Sequence, residues 1–428
     1  MKFKQSEAQN QRVERITPSH LIVEIDMEKE THVAQVTNYR GIVLTNRHLS
    51  FSNTIEGFEK LQRWMEGIQQ KHRLSQVIIG MEPTGHYWWN LANWLTHKGL
   101  QVVLVNPATT KRNKENRDNC QLKSDPKDAL VIADVVSRGY YYDHTKQTHV
   151  FQRLRTLMSD REFWVANSVR LQNRIIRWLD IRFPEYSSVF KDWTVKRSMA
   201  TLKEFPAPVD LANRSVPEII AIWKKHMQRA GGTTGTQKAA ELIAQAKRSV
   251  GDVTALAVAK LDLARLISEY ERITEMLADI EKQLHVMLGE IPMAIQMRSI
   301  KGLGPIFVAA ILAGAGDLRL YAHGRQLLRK AGLNLAESTS GKRKGQIVVS
   351  KRGDSSLRKY LYLATIQLIG INPVFQELHR HNVQVKHMKK QQSVFKLVGK
   401  VARILIGMVQ RVETFSPEKA SHLVSQAA

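Results

Sequence analysis

The first third of the chain alternates short buried-strand patterns with helix patterns, and this order constrains the fold more than any other feature. Residues 21–26 are mostly apolar and end in Asp26, and residues 76–82 show the same pattern and end in Glu82. Two further strand patterns, at 32–38 and 41–51, follow the first run. The sequence therefore predicts a three-stranded meander and then a fourth strand that, like the first, ends in an acid.

Helices separate the remaining strands. Thr54 caps an amphipathic helix that ends near Gly67, an aromatic helix spans 87–97, and 101–107 reads as a fifth strand. A polar, basic stretch at 111–123 comes before one more helix. Three meander strands followed by helix, strand, helix, strand and helix is the order of an RNase H-like domain, so we expect an α/β domain here.

That last helix opens with two aspartates. Asp125 precedes Pro126, which suits a first helical position, so Asp125 falls at the N-cap and Asp128 in the first turn. Residues three apart share a helix face, so both carboxylates can point at one spot. One interpretation is simple capping of the helix N-terminus. The other is that both join Asp26 and Glu82 in a four-carboxylate set.

Four carboxylates that converge in a basic protein are costly unless a divalent cation neutralises them. Hard oxygen ligands with open positions suit Mg²⁺ or Mn²⁺, and such ions can clamp the attacking and leaving oxygens of a phosphodiester. Glu24 and Glu28 flank the first acid, and we interpret both as solvated. The predicted metal-binding and catalytic set is Asp26, Glu82, Asp125 and Asp128.

The charge balance points to a polyanionic partner. Lys and Arg number 64 against 39 Asp and Glu, a net charge of +25, for which nucleic acid is the usual partner. A membrane surface is disfavoured because the sequence has no run of 18 apolar residues, no lipidation signal and no apolar N-terminal signal segment. The single cysteine, Cys120, excludes an internal disulfide framework and a cysteine-based zinc site. We expect a cytoplasmic, nucleoid-associated protein.

Two long helical patterns occupy the middle of the chain. Residues 150–185 predict a basic amphipathic helix whose arginine face is either solvated or lies along a phosphate backbone. Residues 253–288 predict a helix of coiled-coil length that either pairs with the first or forms a dimer seam. Between them, 231–236 is interpreted as a linker. The expected nucleic-acid contacts on the first helix are Arg170, Arg174 and Arg177.

The C-terminal third carries two further candidate sites. Residues 299–312 predict a helix-hairpin-helix in which Gly302 and Gly304, beside Lys301, let backbone N–H groups approach a phosphate; the alternative is an ordinary tight turn. Downstream, Ser340 lies in a loop rich in Lys and Arg without an obvious histidine base, so spacing alone favours an ordinary loop serine over a nucleophile. The basic residues expected to bind nucleic acid here are Lys342, Arg343, Lys344, Lys351 and Arg352.

Together these pieces resemble the DEDD-motif transposases (recombinases) of bacterial insertion sequences of the IS-110/IS-1111 type. The resemblance covers roughly residues 20–180 and 250–410. The matching segments are Val23–Asp26, Gly80–Tyr87, Val105–Pro107, Lys123–Ala129, Ile300–Pro305, Ala331–Asn334 and Ser340–Lys342.

The resemblance implies how the chain works. The four acids would bind Mg²⁺ (or Mn²⁺) in a RuvC-like domain, and Ser340 would attack DNA to form a phosphoserine link, with the two halves meeting across subunits of a homodimer or homotetramer. A structured guide RNA encoded by the element would bridge target and donor DNA. The family usually has proline where this chain has Leu335, so Ser338 is the second candidate nucleophile.

The implied domains are a flexible arm at 1–20, the RuvC-like domain at 21–145, a helical coiled-coil region at 146–290 with an insertion at about 190–250, a mainly helical transposase domain at 291–412 and a tail at 413–428. Two alternatives remain. A hydrolytic RuvC-like nuclease or junction resolvase would cut without Ser340. A non-catalytic nucleic-acid-binding protein would use the four acids only as caps and surface charge.

Overall fold

The computed structural model describes residues 7–83, 85–117, 125–144, 149–337 and 347–422, with side chains in these ranges except at 8, 114–117, 125–130, 336–337, 347 and 421–422. The chain divides into two compact units, residues 1–146 and 147–428.

The first unit is a mixed sheet covered by helices. Its strands lie in the order β3-β2-β1-β4-β5-β6, with β1, β4 and β5 parallel and the other neighbours antiparallel. This arrangement is compatible with the expected RNase H-like domain. The elements are α1 (Glu7–Glu14), β1 (His20–Asp26), β2 (Thr31–Asn38), β3 (Leu49–Ser52), α2 (Ile55–His72), β4 (Gln76–Met81), α3 (Trp88–His97), β5 (Gln101–Val105), α4 (Pro107–Arg117), α5 (Asp125–Ser137) and β6 (Tyr141–Asp143).

The sheet separates two apolar cores. Alternate residues of β1, such as Val23 and Ile25, are buried together with residues of α2 and α3, and the intervening Ile22 is buried with residues of α5 on the opposite face. Gly80 of β4 lets α5 approach closely, because a Cβ atom there would lie 2.8 Å from the Val136 side chain. The even-numbered residues at the ends of β1 and β4 therefore belong to the α5 face.

The structure differs from the sequence predictions at several places in this unit. The strand predicted at 41–51 is wrong over most of its length, since only β3 forms a ladder and Val43 makes a single bridge to Thr37. The stretch at 111–123, predicted only as polar and basic, is helical as far as Arg117. Its residues form part of α4 although they show no apolar periodicity. The three-residue strand β6 is an additional element that gives no periodic signal.

The predicted loose arm at 1–20 is also wrong from Glu7 onward. Helix α1 is fixed to β6, where the Arg12 guanidinium donates to the Tyr141 carbonyl and the Tyr141 hydroxyl donates to the Arg12 carbonyl at 3.0 Å. Arg15 adds an ion pair to Asp143 at 2.8 Å. These tertiary contacts order a segment whose own composition is polar.

The second unit is almost entirely helical. Its main elements are α6 (His149–Arg182), α7 (Tyr186–Val189), α8 (Lys196–Glu204), α9 (Pro208–Leu211), α10 (Val216–His226), α11 (Gly232–Lys247), α12 (Leu256–Gly289), α13 (Pro292–Arg298), α14 (Pro305–Ala315), a 3₁₀ turn (Leu318–Leu320), α15 (Gly324–Lys330), β7 (Leu335–Glu337), β8 (Ile347–Val349), α16 (Ser355–Ile371), α17 (Pro373–Gln384), α18 (Lys390–Arg411) and α19 (Pro417–His422).

The two 34-residue helices α6 and α12 pack against each other, which confirms the predicted helix pair. Apolar residues of both helices line the contact, and ion pairs border it: Arg161 lies 2.7 Å from Glu281, and Arg174 lies 3.3 Å from Asp262. Part of the arginine face of α6 therefore serves the helix pair itself.

The segment at about 190–250 forms a helical module. Helices α7 to α11 share one apolar cluster with the end of α6 and the start of α12, and Trp223 and Tyr186 are fully buried in it. The linker predicted at 231–236 is wrong, because α11 begins at Gly232. Gly235 lets this helix start pack tightly, since a Cβ atom there would lie 2.3 Å from the Ala230 carbonyl oxygen.

The C-terminal helices surround α14. Residues 308–315 of this helix are all buried, and α6, α12, α16 and α18 contribute to the same core. Strands β7 and β8 form a separate antiparallel ribbon, in which Leu335 pairs with Val349 and Glu337 with Ile347. Within the described ranges, every helix is too short or too polar to cross a membrane.

Candidate functional site

Two of the predicted catalytic acids lie at one edge of the sheet. Asp26 is the last residue of β1, and Glu82 directly follows β4. The strands are parallel neighbours in which Ile25 pairs with Met81, so the two acids occupy the next equivalent positions, about 4.8 Å apart in the hydrogen-bonding direction. Both are half-buried, and the strand alternation places both on the α5 face.

The other two predicted acids lie in the first turn of α5. This helix begins at Asp125 and packs against β1, β2 and β4, and its Ile132 and Val136 face Gly80. Position 128 lies one turn before Ile132 and therefore on the same side of the helix backbone. Helix α5, which begins with the other two predicted acids, therefore packs on the sheet face that carries Asp26 and Glu82.

Metal binding by the full set remains a prediction. Among the side chains that the structure describes, no group of three or more His, Cys, Asp or Glu residues is arranged to hold a metal ion. The side chains of Asp125 and Asp128, two of the four predicted ligands, lie outside the described side chains.

Glu24 is buried beside this edge, so its interpretation as a solvated residue is wrong. Its side chain is fully buried in the sheet face beneath α5, and the Thr37 hydroxyl donates to its Oε1 atom at 3.1 Å. The strand alternation could have indicated this position, because residues 24 and 26 of β1 lie on the same face of the sheet. The Glu24 carboxyl group is therefore a third acidic group on the side of the sheet that carries Asp26 and Glu82.

The arginines of α6 are exposed as a nucleic-acid interface requires. Arg170, Arg174 and Arg177 all face solvent, although Arg174 pairs with Asp262. Arg174 and Arg177 also line a cleft of about 720 Å³ between α6 and α12, together with Trp178 and Arg265. Their contact with a phosphate backbone remains a prediction.

The turn at 299–304 joins α13 to α14, and only one of its glycines has a conformation that requires glycine. Gly302 has φ of +98°, whereas Gly304 has φ of −69° and no atom within 4 Å of an added Cβ. The buried Asn372 side chain donates to the Lys301 carbonyl at 3.0 Å and fixes the turn, while the Lys301 side chain is exposed. DNA contact at this turn remains a prediction.

The two serine candidates lie between β7 and β8, outside the described residues. Ser338 and Ser340 fall in this gap, as do the predicted basic contacts Lys342, Arg343 and Lys344. Lys351 and Arg352, just beyond β8, are exposed, and Lys351 adopts a left-handed backbone with φ of +55°.

The base of this ribbon is held by a contact between two glycines, which sequence reasoning missed. A Cβ atom on Gly353 would lie 2.4 Å from the Gly332 nitrogen, and Gly332 has φ of +66°. The Arg358 guanidinium donates to the Ala331 carbonyl at 2.9 Å and to the Lys351 carbonyl at 3.3 Å, so it joins both sides of the crossing. We call Gly332, Gly353 and Arg358 the ribbon clasp.

Polar side chains also cap the C-terminal end of α14. Lys330 Nζ and the Tyr321 hydroxyl both donate to the Ala315 carbonyl, at 2.9 and 2.7 Å. Burial lowers the pKa of Lys330 and raises the pKa of Tyr321 to about 12. Both groups therefore satisfy the same helix-end carbonyl, a structural role.

Comparison with known proteins gives consistent matches in both units. Two transposase family models match: a DEDD model of the IS110 type over residues 23–184, and one described as the transposase IS116/IS110/IS902 family over residues 295–380. An uncharacterized 44.8 kDa protein of insertion element IS116 from Streptomyces clavuligerus is 24% identical over 82% of this chain and 86% of its own length.

Two shorter similarities agree with this match. A probable family 20 transposase of Pseudomonas aeruginosa is 26% identical over 36% of this chain and 46% of its own length. A pilin gene-inverting protein of Moraxella lacunata is 27% identical over 27% of this chain and 34% of its own length.

Proposed function

Because the chain belongs to the IS110 family of insertion-sequence transposases, we propose that it cuts and rejoins DNA strands through a covalent phosphoserine link formed at a metal-binding carboxylate site. The site residues of the proposal are Asp26, Glu82, Asp125 and Asp128 as metal ligands and Ser340 as nucleophile.

The observation that carries the proposal is the position of Asp26 and Glu82 at neighbouring parallel strand ends, on the sheet face against which α5 packs. Carboxylate oxygens at one edge are the donors that Mg²⁺ and Mn²⁺ prefer, so the residues present fit such an ion. When bound, the cation supplies charge neutralisation and polarises phosphate oxygens.

The nucleophilic step belongs to Ser340. Its Oγ atom forms a bond to phosphorus while the bond from phosphorus to the 3′-oxygen breaks; the serine proton goes to water, and the 3′-oxygen takes up a proton. A 3′-hydroxyl of the new partner strand then attacks the phosphoserine, breaks the P–Oγ bond and restores the serine. One ester bond replaces another in each step, so no ATP is consumed.

The proposal extends to partners. Exposed Arg170, Arg177, Lys301, Lys351 and Arg352 would contact DNA backbones or a structured guide RNA, in keeping with the net charge of +25. The similarity to a protein named for inverting a pilin gene supports strand exchange rather than simple cutting. A homodimer or homotetramer would let the carboxylate edge of one subunit meet the serine of another.

The test is a denaturing gel of labelled element-end DNA incubated with the full-length protein, Mg²⁺ and the element's RNA, for wild type, Ser340→Ala and Ser338→Ala. A protease-sensitive DNA adduct that disappears in Ser340→Ala and persists in Ser338→Ala is the expected result. Cleavage without an adduct in all three proteins would instead establish a hydrolytic nuclease. Loss of the adduct only in Ser338→Ala would assign the nucleophile to Ser338.

A further inference from the structure

The chain that leaves the carboxylate edge after Glu82 carries a group of aromatic rings. Pro83 and Gly85 lead directly into His86 and Tyr87, whose ring centroids lie 4.2 Å apart. These two rings are tilted by 43°, and the next two residues, Trp88 and Trp89, form a stacked pair with centroids 4.6 Å apart. Four consecutive aromatic rings therefore begin four residues after a proposed metal ligand.

This group is fixed at one end and exposed at the other. Trp88 is buried in the apolar core with residues of α2 and α3, and its ring lies nearly perpendicular to the His144 ring, with centroids 5.5 Å apart. His86 is exposed, Tyr87 is half-exposed and Trp89 is 37% exposed. The buried indole anchors the start of α3, so the exposed rings are held in place rather than carried on a loose loop.

The backbone keeps the exposed rings near the acids. Gly85 has φ of +65°, a turn conformation that favours glycine, and the Tyr87 ring lies 3.8 Å from where its Cβ would be. Four residues span at most about 14 Å, so His86 stays within that distance of the Glu82 backbone.

We propose that His86 and Tyr87 form a stacking platform for an unpaired base of the DNA strand whose phosphate is held at the Asp26–Glu82 edge. Base–aromatic stacking tolerates any base, because every base has a π-face. Strand exchange unpairs bases next to the cut phosphate, and rings that are already ordered give such a base a defined position. Both side chains are positioning residues, and the inference rests on the proposed DNA strand exchange.

The experiment is photo-crosslinking of the full-length protein to a short single strand of thymidines that contains 5-iododeoxyuridine, with the attached peptide identified by mass spectrometry. The expected crosslink lies at His86 or Tyr87. His86→Ala and Tyr87→Leu should each lower its yield about fivefold or more, the loss that one stacked base implies. Tyr87→Phe should retain the yield because it keeps the ring.

Matched controls separate stacking from general damage. His97→Ala removes an exposed histidine at the other end of α3 and should leave the crosslink yield unchanged. Tyr87→Phe should melt at the wild-type temperature. Because His86 is exposed, His86→Ala should also leave the fold intact, and a lower melting temperature of either variant would reveal a folding defect. Crosslinks confined to other peptides, or yields that His86→Ala and Tyr87→Leu leave unchanged, would overturn the proposal.

The readout is independent of the phosphoserine chemistry. Ser340→Ala should crosslink like wild type whether or not Ser340 is the nucleophile. A missing DNA adduct together with a normal crosslink would remove the serine mechanism and keep the platform, whereas a normal adduct without the crosslink would remove only the platform.

Discussion

Asp26 and Glu82 lie at equivalent positions of two neighbouring parallel strands, each one residue beyond the paired Ile25 and Met81. Residues 56 positions apart in sequence are thereby brought to one edge, which is the edge that commonly carries ligands in sheets of parallel strands. The α5 face beside them contains a further buried acid, Glu24, among apolar residues such as Ile22 and Ile78.

The α13–α14 turn gives a stability test with a matched pair of glycines. Gly302→Ala places a side chain at φ of +98°, about 3.4 Å from Ile371 Cβ, and should lower the free energy of unfolding by about 1–3 kcal/mol. Gly304→Ala meets open space at ordinary φ and should stay within about 0.5 kcal/mol of wild type. Urea unfolding measures both. Equal losses would show that the turn does not require a left-handed residue at 302.

The ribbon clasp predicts a defect that is specific to the serine loop. Gly353→Ala forces a Cβ against the Gly332 nitrogen and the Lys330 carbonyl oxygen, both at 2.4 Å, so the backbone at the ribbon base has to move. We expect a cost of about 1–3 kcal/mol and at least a tenfold loss of DNA adduct, with DNA affinity retained. Gly370→Ala, in α16 with no atom within 4 Å of the added Cβ, is the control and should keep full adduct yield.

Arg358 tests the same clasp through hydrogen bonding. Arg358→Ala leaves the Ala331 and Lys351 carbonyls without this donor and should reduce the adduct, while Arg358→Lys, which can reach one carbonyl, should restore part of it. Identical adduct yields for the three proteins would contradict a role of the clasp in positioning the ribbon.

His32 predicts a pH dependence of stability in the first unit. Burial lowers the pKa of this imidazole below 6.5, and its ring stacks on Phe58 in the core of the first unit. The unfolded state therefore takes up the proton first, so stability is fully present above about pH 6.5 and falls as the pH decreases below it. The melting temperature of His32→Phe should change less between pH 7 and pH 5.5 than that of wild type.

A matched variant controls for the other histidines. His97 is exposed on α3, so His97→Ala should keep the wild-type dependence of melting temperature on pH. A His32→Phe protein with the full wild-type dependence would show that another group is responsible.

The exposed arginines of α6 predict a change in salt dependence. Replacing Arg170 and Arg177 with Gln removes two exposed cations that would neutralise phosphates, so the slope of log K against log salt for duplex DNA should become shallower by about 1.8. Arg272→Gln is the control. Arg272 lies on α12, which packs against α6, and it is already paired with Glu269 of the same helix at 2.5 Å. An unchanged slope in the double variant would exclude these arginines from the interface.

The sequence predicted the parallel core of the first unit because its strands are buried on both faces. Residues 21–26, 76–82 and 101–107 are mostly apolar runs, and each forms a strand within two residues of its predicted ends. The same reasoning failed where tertiary contacts decide. Helix α1 depends on contacts with β6, and α11 starts in a Gly-Thr segment because Gly235 permits close packing on Ala230.

The candidate site was predictable in part for a related reason. The acids at the ends of β1 and β4 follow from strand patterns alone, and parallel pairing then brings them together. Alternation along β1 could have placed Glu24 on the α5 face, whereas the contact between Gly332 and Gly353 could not be predicted, because it depends on which segment packs opposite. The role of Ser340 comes only from family resemblance, since a serine in a basic loop has no distinctive local pattern.

The most direct test of the account is cleavage of labelled element-end DNA, with the element's RNA, by wild type, Asp26→Asn and Glu82→Gln in the presence and absence of Mg²⁺. These substitutions keep side-chain size and remove the charge, so folding and DNA affinity should stay at wild-type levels. A catalytic carboxylate edge predicts Mg²⁺-dependent cleavage and a protein–DNA adduct for wild type and neither for the two variants. Full cleavage by Asp26→Asn and Glu82→Gln would contradict a catalytic carboxylate edge.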